Sequence, residues 1–108
     1  MDRDKLYLQH IVQAVEKILS YTNSLTRDEF KHNMLIQDAT IRELEIIGEA
    51  ARLISEATKR AHPDIPWYEI SGMRNRLIHE YFGVDLDAVW KTITEDLGAL
   101  TDEFDKAA

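Results

Sequence analysis

The chain has 108 residues, the usual length of one domain, and 44% of them are apolar while 31% are charged. This balance is typical of a folded globular protein and is too apolar for a disordered one. The absence of cysteine excludes disulfides, thiolate zinc sites and cysteine nucleophiles. The net charge of −7 argues against a broad nucleic-acid-coating surface, which needs clustered basic residues. It leaves room for one local basic site, and it could favour a basic partner.

Composition also bounds the class and location of the protein. Only four Gly and two Pro are present, which favours long helices over many short strands. The first five residues carry charges with no apolar stretch after them, so no secretory signal is predicted. No run approaches the roughly 18 apolar residues of a membrane span. We therefore expect a cytoplasmic protein without a membrane segment, with residues 1–108 forming a single domain.

Helical periodicity dominates the first half of the chain. A first helix is predicted from about Asp4 to Tyr21, with an apolar stripe of Leu6, Ile11, Val15, Ile18 and Leu19. Thr26 and Glu29 have the spacing of a capping box, which predicts that a short helical turn begins there.

The longest predicted helix runs from about Met34 to Arg60, because this segment contains no Pro and no obvious stop. One apolar stripe consists of Ile36, Leu44, Ile47, Ala51 and Ile54. A second stripe beside it consists of Leu35, Ala39, Ile46, Ala50, Leu53 and Ala57. An apolar face this wide predicts a central helix that packs against more than one neighbour.

The second half begins with a clear loop at residues 62–66, which contains both prolines. Pro66 suits the first turn of a helix that is predicted to reach Phe82, with room for an irregularity at residues 71–72 and with Gly83 as its stop. Asp85 is predicted to cap a last helix, whose inner face is Leu86, Val89 or Trp90, Ile93, Leu97, Leu100 and Phe104. The sequence therefore predicts an all-α, up-and-down bundle of about four main helices.

Reactive side chains are concentrated in residues 74–81, with the sequence RNRLIHEY. Arginine presents fixed donors that match phosphate oxygens, and histidine exchanges a proton near neutral pH. RNA carries its own nucleophile, the 2′-hydroxyl, so a base and a cation can cleave it without a metal. His79 and Glu80 begin like a zinc motif, but Gly83 stands where a second histidine is needed, and we expect no metal and no cofactor.

Helical geometry qualifies this interpretation. On one continuous helix Arg74 and Tyr81 align within about 20°, and Asn75 shares a face with His79, but Arg74 and His79 lie about 140° apart. A second copy across a two-fold axis would help these groups to converge on one phosphate, because it repeats them on the other side of the interface. The motif thus makes more chemical sense in a dimer. The competing interpretation is that these polar residues are ordinary solvated surface.

The string Arg74-Asn75-Arg76-Leu77-Ile78-His79-Glu80-Tyr81 resembles the signature of HEPN-domain ribonucleases, specifically the HepT-like toxins. The resemblance covers nearly the whole chain, including residues 41–50, Pro63-x-x-Pro66-Trp67, residues 83–85 and the Trp90-containing last helix. It implies a helical bundle that forms a homodimer with the motif at the interface. It also implies a metal-independent endoribonuclease that acts as a toxin.

Carried over by position, the resemblance implies that Arg74 and His79 are the catalytic pair, with Asn75 and Arg76 supporting them. His79 would act as general base on the 2′-hydroxyl, Arg74 would hold the phosphate, and the product would carry a 2′,3′-cyclic phosphate. The implied partner is a nucleotidyltransferase antitoxin that transfers AMP to the motif tyrosine, here Tyr81. AMPylation would place bulk and negative charge beside Arg74 and exclude the RNA phosphate.

Three charged residues of the long helix complete the set of candidates. Glu43 falls within the apolar face, where it could pair with Arg74 or Arg76 from a neighbouring helix, or lie at the edge of that face or at an interface. Arg42 and Glu49 are predicted to form solvated or inter-subunit contacts. Two other functions remain open: a non-catalytic helical module that binds a nucleotidyltransferase, and a purely structural adaptor.

Overall fold

The computed structural model describes residues 3–79 and 83–107, and it describes only the backbone of residues 74, 76, 78 and 79. The elements in these ranges are α1 (Arg3–Thr22), α2 (Arg27–Lys31), α3 (Met34–Leu53), α4 (Glu56–Ala61), α5 (Trp67–Ser71), α6 (Met73–Leu77), β1 (Ile78–His79), β2 (Gly83–Val84), α7 (Leu86–Lys91) and α8 (Leu97–Ala107). A π-helical segment, Thr92–Asp96, joins α7 to α8. The predicted all-α helical bundle is confirmed.

The two N-terminal helices form where local sequence signals place them. α1 lies within one residue of its predicted bounds, and most of its predicted stripe is buried or partly buried. The capping box before α2 is complete: Glu29 N–H donates to Thr26 Oγ1 at 3.1 Å, and Thr26 N–H donates to Glu29 Oε1 at 2.9 Å. These two backbone N–H groups lie at the N-terminus of α2, where no carbonyl of the helix can accept from them, and the capping box supplies both acceptors.

α3 is the central helix, since it packs against α1, α2, α5 and α6. The prediction of more than one neighbour is therefore confirmed. Of its first apolar stripe, Ile36 is partly buried, and the remaining members belong to the core: Leu44, Ile47, Ala51 and Ile54. The second stripe behaves differently, because Leu35 is 79% exposed and Leu53 is 44% exposed.

The predicted continuous helix from Met34 to Arg60 is wrong at its centre. α3 ends at Leu53, Ile54 is extended with φ −69° and ψ 140°, and Ser55 caps the separate helix α4. At this junction the carboxylate of Asp4, at the start of α1, accepts hydrogen bonds from Ser55 N–H at 3.0 Å and from Thr58 Oγ1–H at 2.5 Å. A partner this far away in sequence is invisible to helical periodicity.

The C-terminal helices close the core as predicted. Asp85 Oδ1 accepts a hydrogen bond from Ala88 N–H at 3.1 Å and so caps α7. Every residue of the predicted inner face is buried or partly buried. Trp90 of α7 packs against Phe30 of α2 with ring centroids 5.3 Å apart and a tilt of 36°, which joins the C-terminal helices to the N-terminal half of the chain. None of the described helices is long and apolar enough to cross a membrane.

Candidate active site

The segment that carries the motif is anchored at its start by Trp67. The indole Nε1–H donates to the carbonyl oxygen of His62 at 3.0 Å, which holds the predicted loop at residues 62–66. The indole ring meets Phe104 of α8 edge-on at 5.6 Å. Pro66 stands at the N-cap of α5, one position before the helix it was predicted to open. α5 is thereby fixed between the loop and the C-terminal helix.

The expected irregularity at residues 71–72 is confirmed. α5 ends at Ser71, Gly72 adopts φ −87° and ψ 0°, and α6 begins at Met73. Met73 and Leu77, four residues apart on α6, are both almost fully buried. Asn75 between them is exposed. Two core anchors therefore hold α6, and with it the backbone of the motif arginines.

The predicted helix through Phe82 is wrong, because α6 ends at Leu77. Ile78 and His79 form β1, which pairs antiparallel with β2 in the register Ile78↔Val84 and His79↔Gly83. The carbonyl oxygen of Leu77 accepts a hydrogen bond from Asp85 N–H at 2.9 Å, so a later segment satisfies the end of the helix. Gly83 is a strand residue with φ +85°, a value that favours glycine, and not a helix stop.

This correction changes how the motif must be interpreted. Arg74 lies on α6 and His79 on β1, so the separation of about 140° calculated for one ideal helix does not apply. That separation was the geometric argument for a second copy of the helix, so the argument no longer holds. Tyr81 lies outside the described residues, as do Glu80 and Phe82. The roles of Arg74, Asn75, Arg76, His79 and Tyr81 remain predictions.

Glu43 lies where helical angles predicted it, on the buried side of α3, and is 8% exposed. α3 packs directly against α6, the helix that carries Arg74 and Arg76. A pairing between Glu43 and either arginine is compatible with this neighbourhood and stays a prediction. Thr40, one turn earlier, was not anticipated as special. Its hydroxyl is buried and has no hydrogen-bond partner within the described part of the chain.

A groove beside the start of α6 was not anticipated either. It has a volume of about 460 Å³ and lies between α5–α6 and the π-helical segment with α8. Buried Ile70 and Met73 form part of its floor, and Glu69, Glu95 and Asp96 lie along it. Sequence reasoning missed it because its two walls, which end at Met73 and begin again at Thr92, are at least 19 residues apart in the chain. Its carboxylates make it an unfavourable surface for an anionic ligand.

The remaining histidines are scattered, as expected. His10 is exposed on α1, His32 contacts the carbonyl oxygen of Asp28 through Nδ1 at 2.8 Å, and His62 lies in the loop before α5. Among the described side chains, no three carboxylate or imidazole groups are close enough together to hold a metal ion.

Comparison with known proteins agrees with the motif. The family model described as "Ribonuclease HepT-like" matches residues 11–107. A protein of Thermococcus cleftensis named "Probable ribonuclease HepT" is 46% identical over 102 residues, which cover 94% of this chain and 93% of that protein. "Putative RNase MJ1380" of Methanocaldococcus jannaschii is 39% identical over 99 residues, which cover 92% of this chain and 91% of that protein.

A further relative contains a similar sequence within a longer protein. "Gamma-glutamylcyclotransferase and putative RNase MJ0434" of Methanocaldococcus jannaschii is 41% identical over 99 residues, which cover 92% of this chain but only 45% of that protein. No solved structure matches the chain. The family model extends from α1 to α8 and includes α6, β1 and β2. The chain belongs to the HepT-like ribonuclease family.

Proposed function

We propose that this chain is a metal-independent endoribonuclease, formed by residues 1–108 as one domain, that acts in the cytoplasm as the toxin of a two-component toxin–antitoxin system. The observation that carries the proposal is the family match over residues 11–107, within which Arg74 and His79 are both present. Relatives that match over nearly their whole length are named as ribonucleases. The proposed substrate is therefore RNA.

The proposed reaction uses the nucleophile that RNA itself provides. His79 takes the proton of the 2′-hydroxyl, and the 2′-oxygen attacks the adjacent phosphorus. The bond from phosphorus to the 5′-oxygen breaks, and the 5′-oxygen takes up a proton as it leaves. Arg74 holds the phosphate and stabilises the negative charge that develops on it, with Asn75 and Arg76 supporting the pair. The products are a 2′,3′-cyclic phosphate and a 5′-hydroxyl.

The proposed control of this reaction rests on the family resemblance. A nucleotidyltransferase antitoxin transfers AMP from ATP to the hydroxyl oxygen of Tyr81, two residues after His79 in the sequence, and pyrophosphate is released. The added phosphate carries negative charge close to the arginines that would bind the RNA phosphate, so it blocks binding by repulsion as well as by bulk. The active unit is proposed to be a homodimer.

The alternative is a non-catalytic helical module that binds a nucleotidyltransferase. Such a module needs neither a general base nor a phosphate-binding arginine, yet the chain contains both residues at the spacing of the motif. The two functions differ in a measurable way, because only the ribonuclease consumes RNA.

The decisive experiment incubates purified protein with RNA in the presence of EDTA and identifies the new ends. The wild-type protein should produce 2′,3′-cyclic phosphates, and His79→Ala should lower the rate by about 10²- to 10⁴-fold, the usual contribution of general acid–base catalysis. His32→Ala is the matched control, because His32 is an exposed histidine on a different element and should keep full activity. Equal cleavage by His79→Ala would show that another group is the base, and no cleavage by the wild-type protein would favour the binding module.

A further inference from the structure

Tyr68 of α5 is an exception among the aromatic residues of this chain, because its side chain is 87% exposed. The other aromatic side chains that the structure describes are all buried or partly buried: Tyr7, Tyr21, Phe30, Trp67, Trp90 and Phe104. The adjacent Trp67 shows the contrast most clearly, since its ring packs against Phe104 of α8. Of two successive aromatic rings, the fold therefore uses one in its packing and leaves the other in solvent, where its faces are available to a ligand.

The outward side of α5 continues into α6 across the junction between the two helices. Ile70, Met73 and Leu77 are all buried and follow one another at steps of three and four residues, so the inward side keeps helical spacing through the junction. Tyr68 and Asn75 lie seven residues apart, a spacing that returns to within about 20° on a helix, and both are exposed. They therefore lie on one outward side, about 10.5 Å apart along the helix axis.

Only small residues lie between these two side chains. The hydroxyl of Ser71 donates to the carbonyl oxygen of Tyr68 at 3.1 Å and so folds back onto the helix. Gly72 has no side chain, and a Cβ there would lie 3.3 Å from the same carbonyl oxygen. Neither residue projects a bulky group into the space between the tyrosine ring and the carboxamide. This surface, made of Tyr68, Ser71, Gly72 and Asn75, is called here the Tyr68 strip.

The Tyr68 strip carries no carboxylate, unlike the other side of the same helices. Glu69, the next residue in sequence, lines the groove that also contains Glu95 and Asp96. All four residues of the strip are neutral, so an anionic strand meets less repulsion over the strip than over the groove. The chain has a net charge of −7, and a base that stacks on an aromatic ring needs no positive charge beside it. A neutral stacking surface therefore gives an acidic protein a way to hold RNA.

The strip adjoins the motif and is held rigidly against it. Asn75 belongs to both, and the backbone of Arg74 lies on the same helix, six residues after Tyr68 and about 9 Å further along the helix axis. Met73 and Leu77 fix this helix in the core. A base near a phosphate that is bound at the motif can therefore reach the tyrosine ring.

We propose that the Tyr68 strip binds an unpaired nucleobase of the RNA substrate, which stacks on the Tyr68 ring next to the scissile phosphate. The proposal rests on the ribonuclease of the proposed function and names its substrate class, which is single-stranded RNA. Unpaired bases in loops and at ends can turn outward and stack on aromatic side chains, whereas the bases of a duplex are stacked on one another. Every base has a face that can stack, so the strip selects single strands without reading one particular base.

Equilibrium binding tests the stacking without requiring cleavage. Fluorescein-labelled oligoadenylate is titrated with His79→Ala protein, which should leave the strand intact, and the fluorescence anisotropy is followed. Adding Tyr68→Ala should weaken binding by about 5- to 100-fold, the usual effect of removing one stacking side chain. Tyr68→Phe keeps an aromatic ring and should bind within about 2-fold of the tyrosine protein. Tyr68→Leu is the matched control, because it keeps apolar bulk without an aromatic face and should bind about as weakly as Tyr68→Ala.

Three further probes identify what the strip recognises. An abasic sugar–phosphate strand keeps the phosphates without the bases, so its affinity should be the same for the tyrosine protein and for Tyr68→Leu. Double-stranded RNA should be equally insensitive to this substitution. Free AMP carries the same base without a strand and should bind more weakly than oligoadenylate. The proposal is overturned if the abasic strand is as sensitive to Tyr68→Leu as oligoadenylate, if AMP binds as tightly as the strand, or if oligoadenylate does not bind.

The outcomes separate the stacking from the function on which it rests. In a protein with His79 intact, Tyr68→Leu should raise the KM for single-stranded RNA by about 5- to 100-fold and change kcat by less than about 3-fold. Helical circular dichroism should be unchanged, because the replaced side chain is exposed. Equal Kd and KM in all Tyr68 variants would refute the stacking and leave the ribonuclease intact. A wild-type protein that cleaves no RNA, but loses oligoadenylate binding in Tyr68→Leu, would refute the ribonuclease and leave the stacking intact.

Discussion

Asp4 is predicted to stabilise the fold from the start of the chain, because one carboxylate holds the junction between α3 and α4. Its Oδ1 accepts from Ser55 N–H at 3.0 Å, and its Oδ2 accepts from the hydroxyls of Ser55 and Thr58, each at 2.5 Å. These hydrogen bonds, with the Ser55 hydroxyl first and the Thr58 hydroxyl second, hold the pKa of Asp4 below its ordinary value. Hydrogen bonds favour the charged form of the carboxylate that accepts them.

The substitution Asp4→Ala removes all three acceptor contacts and leaves Ser55 to cap α4 alone. Hydrogen bonds to a charged group contribute about 1.5 to 3 kcal/mol when buried, and this site lies near the surface, so we expect a loss of about 1 to 2 kcal/mol of unfolding free energy at pH 7. For a domain of this size that corresponds to a decrease in Tm of roughly 4 to 10 °C. Urea unfolding and thermal unfolding, both followed by circular dichroism, measure the two quantities.

The dependence of this loss on pH tests the physical cause. Because the folded-state pKa of Asp4 is lowered, its contribution is fully present above the unfolded-state pKa of about 3.8 and is lost as the pH falls through the folded-state value. The difference between the wild-type protein and Asp4→Ala should therefore shrink below about pH 4. Glu16→Ala, which removes an exposed carboxylate from the same helix, should change stability by less than about 0.5 kcal/mol. A difference for Asp4→Ala that stays constant from pH 7 to pH 3 would refute the argument.

A pair of glycine substitutions probes the backbone of the strand pair. Gly83→Ala should cost about 1 to 2 kcal/mol of unfolding free energy because φ is +85° at this position, whereas Gly98→Ala, where a Cβ meets nothing within 4 Å, should be neutral or stabilising. Equal effects of the two substitutions in urea unfolding would show that the backbone at Gly83 is not the constraint.

The motif and the family could be predicted from the sequence alone, since both are defined by the order of residues along the chain. Residues 74–81 were identified by their chemistry, and the family model confirms the HepT-like assignment. The geometry within that segment was predicted wrongly. Helical periodicity predicted that His79 and Arg74 lie on one helix. His79 instead lies on a strand, because it pairs with Gly83 and because Asp85 N–H donates a hydrogen bond to the Leu77 carbonyl at the end of α6. That outcome depends on a segment that returns from beyond the motif.

Local signals account for the elements that were predicted correctly. The bounds of α1, the capping box at Thr26 and Glu29 and the cap at Asp85 each depend on residues within one or two helical turns, so the sequence by itself determined them. Only the tertiary structure showed that a distant residue holds the break in the long helix, because the Asp4 carboxylate reaches Ser55 across 51 residues. It also decided that the first apolar stripe of α3 enters the core while the leucines of the second stay exposed. Periodicity reveals that a face is apolar, but what covers that face depends on which distant segments, or which second chain, pack against it.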